Sequence, residues 1–79
     1  MKDYYAILGI ASDASGDAVR ASYRRKAGQL HPDRNTDPTA TDKFRDVQEA
    51  YETLSDPDLR HAYDENRRRN LLEKPLETA

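Results

Sequence analysis

Seventy-nine residues allow one domain at most, near the lower limit of what a single apolar core stabilises. There are no cysteines, so no disulfide staples the fold and no thiolate holds zinc. No apolar run approaches the roughly 20 residues of a membrane span and the N-terminus lacks a secretory signal's apolar stretch, so a soluble, cytoplasmic protein is expected.

The formal net charge of −2 hides an asymmetry. Residues 17–30 carry four bases (Arg20, Arg24, Arg25, Lys26) against one acid, whereas residues 37–58 carry seven acids against two bases. A dipolar surface of this kind steers an oppositely charged partner and is poorly suited to coating nucleic acid.

Four segments read as helices. Asp3-Tyr4-Tyr5-Ala6-Ile7-Leu8-Gly9 is bracketed by a capping aspartate and a glycine suited to the left-handed C′ position. It is short enough to need tertiary packing. A second helix is expected from Asp13 or Ser15 to Leu30, with Val19, Ser22, Tyr23, Lys26, Ala27 and Leu30 along one face. Arg20 and Arg24 share a neighbouring face, and a side chain at position 31 would point the same way. Pro32 disfavours helix at His31 and should stop it there.

The third helix starts at Asp37-Pro38 (cap and N1) or at Thr39 with Asp42 as a capping box, and ends near Leu54. Its stripe is Ala40, Phe44, Val47, Tyr51 and Leu54, and both Phe44 and Tyr51 are assigned to the core. The fourth begins at Asp56-Pro57 and carries Leu59, Ala62 and Tyr63. After Asp64 no apolar face continues, Arg67-Arg68-Arg69 reads as a solubilising basic run, and Pro75–Ala79 is expected to be frayed or disordered. The two long helices should form an antiparallel hairpin with the short ones on its open sides.

At the hairpin tip, His31-Pro32-Asp33-Arg34-Asn35 sets an imidazole and a carboxylate on either side of a proline. Residue types alone permit a plain turn, since Pro, Asp and Asn are ordinary turn formers. A catalytic His–Asp dyad lacks a nucleophile and a deep cleft. A metal site would have His31 and Asp33 but no sequence reason for His61 to join them. Arg20 and Arg24 repel each other at i, i+4, so the basic face is mildly unfavourable without a partner. Arg34 could join them in one patch, whereas phosphate would meet the acidic third helix.

These features, in this order, resemble the J-domain of the DnaJ co-chaperone family. The resemblance runs through Asp3-Tyr4-Tyr5-x-Ile7-Leu8-Gly9-Ile10, Ser22-Tyr23-Arg24-Arg25 and His31-Pro32-Asp33-Arg34-Asn35. It continues through Lys43-Phe44, Glu49-Ala50-Tyr51-Glu52-x-Leu54-Ser55-Asp56 and Arg60-x-x-Tyr63-Asp64. It implies an all-α, four-helix J-domain over residues 1–65, with 66–79 a C-terminal helix extension or a disordered tail. It further implies a non-enzymatic co-chaperone that docks on a DnaK-type chaperone and stimulates its ATP hydrolysis, promoting capture and folding of client proteins. On that reading His31, Pro32 and Asp33 are the trigger, with Asp33 engaging a basic group of the chaperone. Arg20, Tyr23, Arg24, Arg25, Arg34 and Asn35 form the docking face. No metal, cofactor, nucleic acid or membrane is implied, and the domain is expected to be monomeric, with clients held by regions outside this segment.

Three positions depart from the family pattern. Lys26 stands in the apolar stripe where leucine is common, Leu30 replaces a common aromatic, and Gly28 weakens the helix by about 1 kcal/mol relative to alanine. A thinner core is expected at Lys26, its stem packed and its ammonium reaching out. The rival reading is a J-like module without a chaperone, serving only protein interaction or DNA binding; an altered His-Pro-Asp would favour it, and the triplet is intact.

Overall fold

Residues 2–72 are described by a computed structural model. They contain α1 (Tyr4–Leu8), α2 (Gly16–Leu30), α3 (Ala40–Leu54) and α4 (Pro57–Leu72). The tail expected over Pro75–Ala79 lies outside the described residues. None of the helices is long and apolar enough to cross a membrane.

Local chemistry sets most of the boundaries. The Asp3 carboxylate accepts from the Ala6 N–H at 3.1 Å, and Gly9, at φ 71°, closes α1 in the left-handed region. The Gly9 and Ile10 N–H groups bond back to the Ala6 and Tyr5 carbonyls, each at 3.0 Å, which completes a Schellman-type end. Ser15, and not Asp13, caps α2 by accepting from the Ala18 N–H at 3.1 Å. That helix stops where Pro32 requires, with His31 extended at φ −61°, ψ 136°.

The start of α3 combines the two sequence alternatives. Asp37 accepts from both the N–H and the hydroxyl of Thr39, at 2.8 and 2.9 Å, and so caps a single tight turn. Regular helix then begins at Ala40, and the Thr39 side chain makes no capping bond. Those two bonds, the backbone one foremost, hold the Asp37 carboxyl below its ordinary pKa. Asp56 caps α4 by accepting from the Asp58 and Leu59 N–H groups.

Fifteen-residue helices joined by residues 31–39 and packed along their lengths form the expected antiparallel hairpin. The core is built from Tyr5 and Leu8 of α1, Val19 of α2, Val47, Ala50 and Leu54 of α3, and Tyr63 of α4. Full burial of Leu8 and Leu54 contributes about 1.5–3 kcal/mol each. Ser22, the buried polar residue of α2, donates its hydroxyl to the Leu8 carbonyl. That bond satisfies one of the carbonyls that the end of α1 leaves without a helical partner.

Two expectations are corrected here. On α4 Tyr63 is buried, whereas Leu59 is 51% exposed and Ala62 is also exposed. The helix nevertheless runs past Asp64 to Leu72, because long-range polar bonds hold it where an apolar stripe does not. The Tyr63 hydroxyl donates to the Lys2 carbonyl at 2.6 Å and accepts from the Tyr4 N–H at 3.0 Å. Arg60 donates to the Tyr5 hydroxyl at 3.1 Å and to the Ser12 and Ala14 carbonyls at 3.2 and 2.7 Å. Arg67 lies over the Tyr5 ring, 5.3 Å from its centroid, and 3.6 Å from the Asp3 carboxylate. Arg68 makes an exposed ion pair with Glu65 at 2.8 Å. The second correction concerns Phe44, which is half-buried outside the core cluster and sits at the hairpin tip.

Lys26 is half-buried, and the end of its side chain lies over Gly9, where an added Cβ would meet Cε at 3.7 Å and Nζ at 3.9 Å. Lys26 borders an open groove of about 360 Å³ whose lining includes Ile7, Leu30 and Val47.

Candidate functional site: the polar tip of the hairpin

The tip is a turn built on one carbonyl. His31 C=O accepts from the Arg34 and Asn35 N–H groups at 2.8 and 2.9 Å, so the chain reverses directly after Pro32. The Asn35 amide ties the turn at both ends. It donates to the Gln29 carbonyl at 3.3 Å, covering one of the bare carbonyls at the end of α2, and accepts from the Asp37 N–H at 2.9 Å. Asn35 is therefore half-buried and internally bonded, where the sequence reading assigned it to the docking face.

His31 and Asp33 are brought together and displayed. The Asp33 N–H donates to His31 Nδ1 at 3.2 Å, and the same nitrogen stands 3.7 Å from Asp33 Oδ2. The Asp33 side chain is 89% exposed. Phe44 stands against the imidazole in a T-shaped arrangement, 6.1 Å between ring centroids. Tyr23, half-buried, is stacked on Tyr51 with centroids 4.2 Å apart. These aromatic contacts fix one wall of an open cleft of about 520 Å³, lined by Tyr23, Ala27, Gly28, His31, Asp33, Arg34 and Phe44. The stripe assigns Phe44 to the core; its place near the loop end of α3 is the signal that it stands beside His31 instead.

The arginines are distributed unevenly. Arg20 and Arg24 are exposed on one face of α2, Arg20 ion-paired with Asp17 one turn earlier. Arg25 lies a quarter turn further round, and its guanidinium reaches back to the Ser22 hydroxyl at 3.4 Å. The guanidinium groups of Arg24 and Arg34 are exposed and make no hydrogen bond or ion pair with the described residues, so their charge is available to a partner. Among the described residues no group of three or more His, Cys, Asp or Glu side chains is placed to hold a metal ion; His61 lies on α4 near Gly16 and Leu54.

The fold and the tip together define a small helical module with a cationic helix face leading to a displayed carboxylate. The sequence model of the DnaJ domain matches residues 3–64, and the chain belongs to that family. It is 52% identical over 65 residues to a protein named "Chaperone protein DnaJ" from Prochlorococcus marinus strain MIT 9313, covering 82% of this chain and 17% of that one. It is 50% identical over 64 residues to the human "DnaJ homolog subfamily B member 5", covering 81% and 18%. The chain thus spans about one sixth of the length of these curated relatives. Among solved structures, the J-Trx1 fragment of ERdj5 superimposes with a TM-score of 0.76 at 38% identity, covering 82% of this chain and 32% of that one.

Proposed function

We propose that this chain is the docking and trigger domain of a co-chaperone that stimulates ATP hydrolysis by a DnaK-type chaperone. The observation that carries the reading is the tip itself: an intact His31-Pro32-Asp33 whose carboxylate is 89% exposed, inside a match to the DnaJ domain. Arg20, Tyr23, Arg24, Arg25, Arg34 and Asn35 supply the docking surface, Asn35 by holding the turn and the arginines by charge. Asp33 engages a basic group of the chaperone, and the module accelerates hydrolysis because it binds one chaperone state more tightly than the other. The domain acts alone as a monomer over residues 1–65, catalyses no reaction and takes no cofactor or nucleic acid. It works in the cytoplasm, and client proteins engage regions outside this segment.

Single-turnover ATP hydrolysis by a DnaK-type chaperone tests this directly. The domain should accelerate hydrolysis, and Asp33→Asn or His31→Gln should abolish the acceleration while leaving helical content unchanged. Neither exposed side chain lies in the core, so melting temperatures should stay within the roughly 0.5 kcal/mol that surface substitutions command. Failure of the wild type with several chaperones would remove the assignment. Arg24→Glu should weaken docking, and wild-type affinity should itself fall as salt rises. Salt-independent binding would rule out electrostatic steering by α2.

A further inference from the structure

The geometry points to His31 as a positioning residue that presents Asp33 only while its imidazole is neutral, an inference that rests on the co-chaperone reading above. The backbone N–H of Asp33 donates to His31 Nδ1 at 3.2 Å. A ring nitrogen accepts only through a bare lone pair, so the imidazole carries its one proton on Nε2. This bond spans Pro32 and pins the backbone of Asp33 against the ring, leaving the carboxylate to project into solvent.

A second proton, taken from water onto Nδ1, reverses the arrangement. The nitrogen becomes a donor and can no longer receive the Asp33 N–H. The anion nearest to it is Asp33 Oδ2, 3.7 Å away. An imidazolium–carboxylate pair then forms across the exposed tip and competes for the group that the chaperone must engage. Of the other groups around the ring, α2 contributes Tyr23, Ala27 and Gly28, α3 contributes Phe44, and the loop contributes Arg34. Only Arg34 opposes the added charge, and Asp33 lies on the protonated nitrogen itself. Histidine is the side chain whose charge changes between pH 5 and 8, so the trigger is built to weaken on mild acidification.

The isolated chain supplies the first test. Nitrogen-15 NMR at about pH 8 should show the Nε2–H tautomer of His31, and the Asp33 amide proton should move in step with the His31 titration. An Nδ1–H tautomer, or an Asp33 amide indifferent to that titration, overturns the inference. The second test is single-turnover hydrolysis, divided at each pH by the rate of the DnaK-type chaperone alone. The wild-type ratio should fall about tenfold between about pH 8 and pH 5.5, as loss of a charge-assisted contact commands. In His31→Asn the side-chain oxygen takes the place of Nδ1 and cannot be protonated, so stimulation should persist with a flat profile. His31→Gln, whose oxygen reaches the Nε2 position, should stay inactive throughout. A flat wild-type profile, an inactive or pH-tracking Asn variant, or an active Gln variant each sinks the inference. Absence of wild-type stimulation at every pH, with the NMR signature intact, sinks the co-chaperone reading instead.

Discussion

At the base of the hairpin, where α1 and α4 meet, polar side chains are spent on one another. The Tyr5 hydroxyl donates to Asp64 at 2.6 Å and accepts from Arg60, and burial together with the Asp64 bond pushes its pKa up. At the tip, 89% of the Asp33 side chain faces water, and Arg24 and Arg34 have no acidic partner among the described residues. Both regions are written in the motifs that carry the family resemblance, yet one set closes the fold and the other is left open. The difference teaches that a motif's polarity does not reveal its role; what matters is whether its hydrogen-bonding capacity is already consumed within the chain.

Breaking the base should therefore cost stability first. Arg60→Ala strands the Ser12 and Ala14 carbonyls and removes a partner of Tyr5, which should cost about 2 kcal/mol. For a domain of this size the melting temperature should drop by about 10 °C. Chaperone stimulation per folded molecule should survive at a temperature where the variant is folded. A variant with an unshifted melting temperature and lost stimulation would place Arg60 with the tip and undo the contrast.

Gly28 sharpens the comparison from the other side. An added Cβ there meets nothing within 4 Å, so the fold does not require glycine in the last turns of α2. Gly28→Ala should raise stability by about 1 kcal/mol, or roughly 5 °C in melting temperature. Because the residue lines the cleft beside His31, docking affinity is the second quantity to measure in the same variant. A fall in melting temperature would show that the helix depends on the glycine after all.

How much of this was legible beforehand follows the range of the interactions involved. Caps at Asp3, Ser15 and Asp56 act over two or three residues, and the stripes of α2 and α3 repeat within one helix, so both are readable from sequence spacing. Among the described side chains, residues 57–70 offer the buried Tyr63 and no apolar stripe, and the bonds that hold them connect positions 46 to 61 residues apart. Periodicity carries no trace of such bonds. Phe44 and Asn35 illustrate the same limit at the tip. The stripe places Phe44 on the correct face of α3 but cannot say that its ring stands against His31, and nothing in an asparagine's identity discloses that Gln29 and Asp37 use both ends of its amide.

The smallest expected effect lies between the two regions, where Lys2 reaches Asp46 and Glu49 at 2.9 and 3.4 Å and the Tyr4 hydroxyl donates to Glu49. The Tyr4 bond, aided by Lys2, holds the Glu49 carboxyl below its ordinary value of 4.5, and the same bond raises the Tyr4 phenol. A carboxylate whose pKa is depressed by folding adds stability above its unfolded pKa and loses that contribution as pH falls through the folded value. Lys2 behaves in the opposite sense: its bond to Asp46 raises its pKa above 10.5, so its contribution is complete below the unfolded pKa and is lost as pH rises through the folded one. Melting temperature should accordingly begin to fall below about pH 4.5, and Glu49→Gln should make that acid limb shallower. It should not flatten it, because Asp37 and Glu65 are depressed in the same direction. The two lines should lie apart above about pH 4.5, wild type higher, and converge on the acid side, where the wild-type Glu49 is protonated; an unchanged acid limb in the variant would show that this exposed network adds nothing to stability.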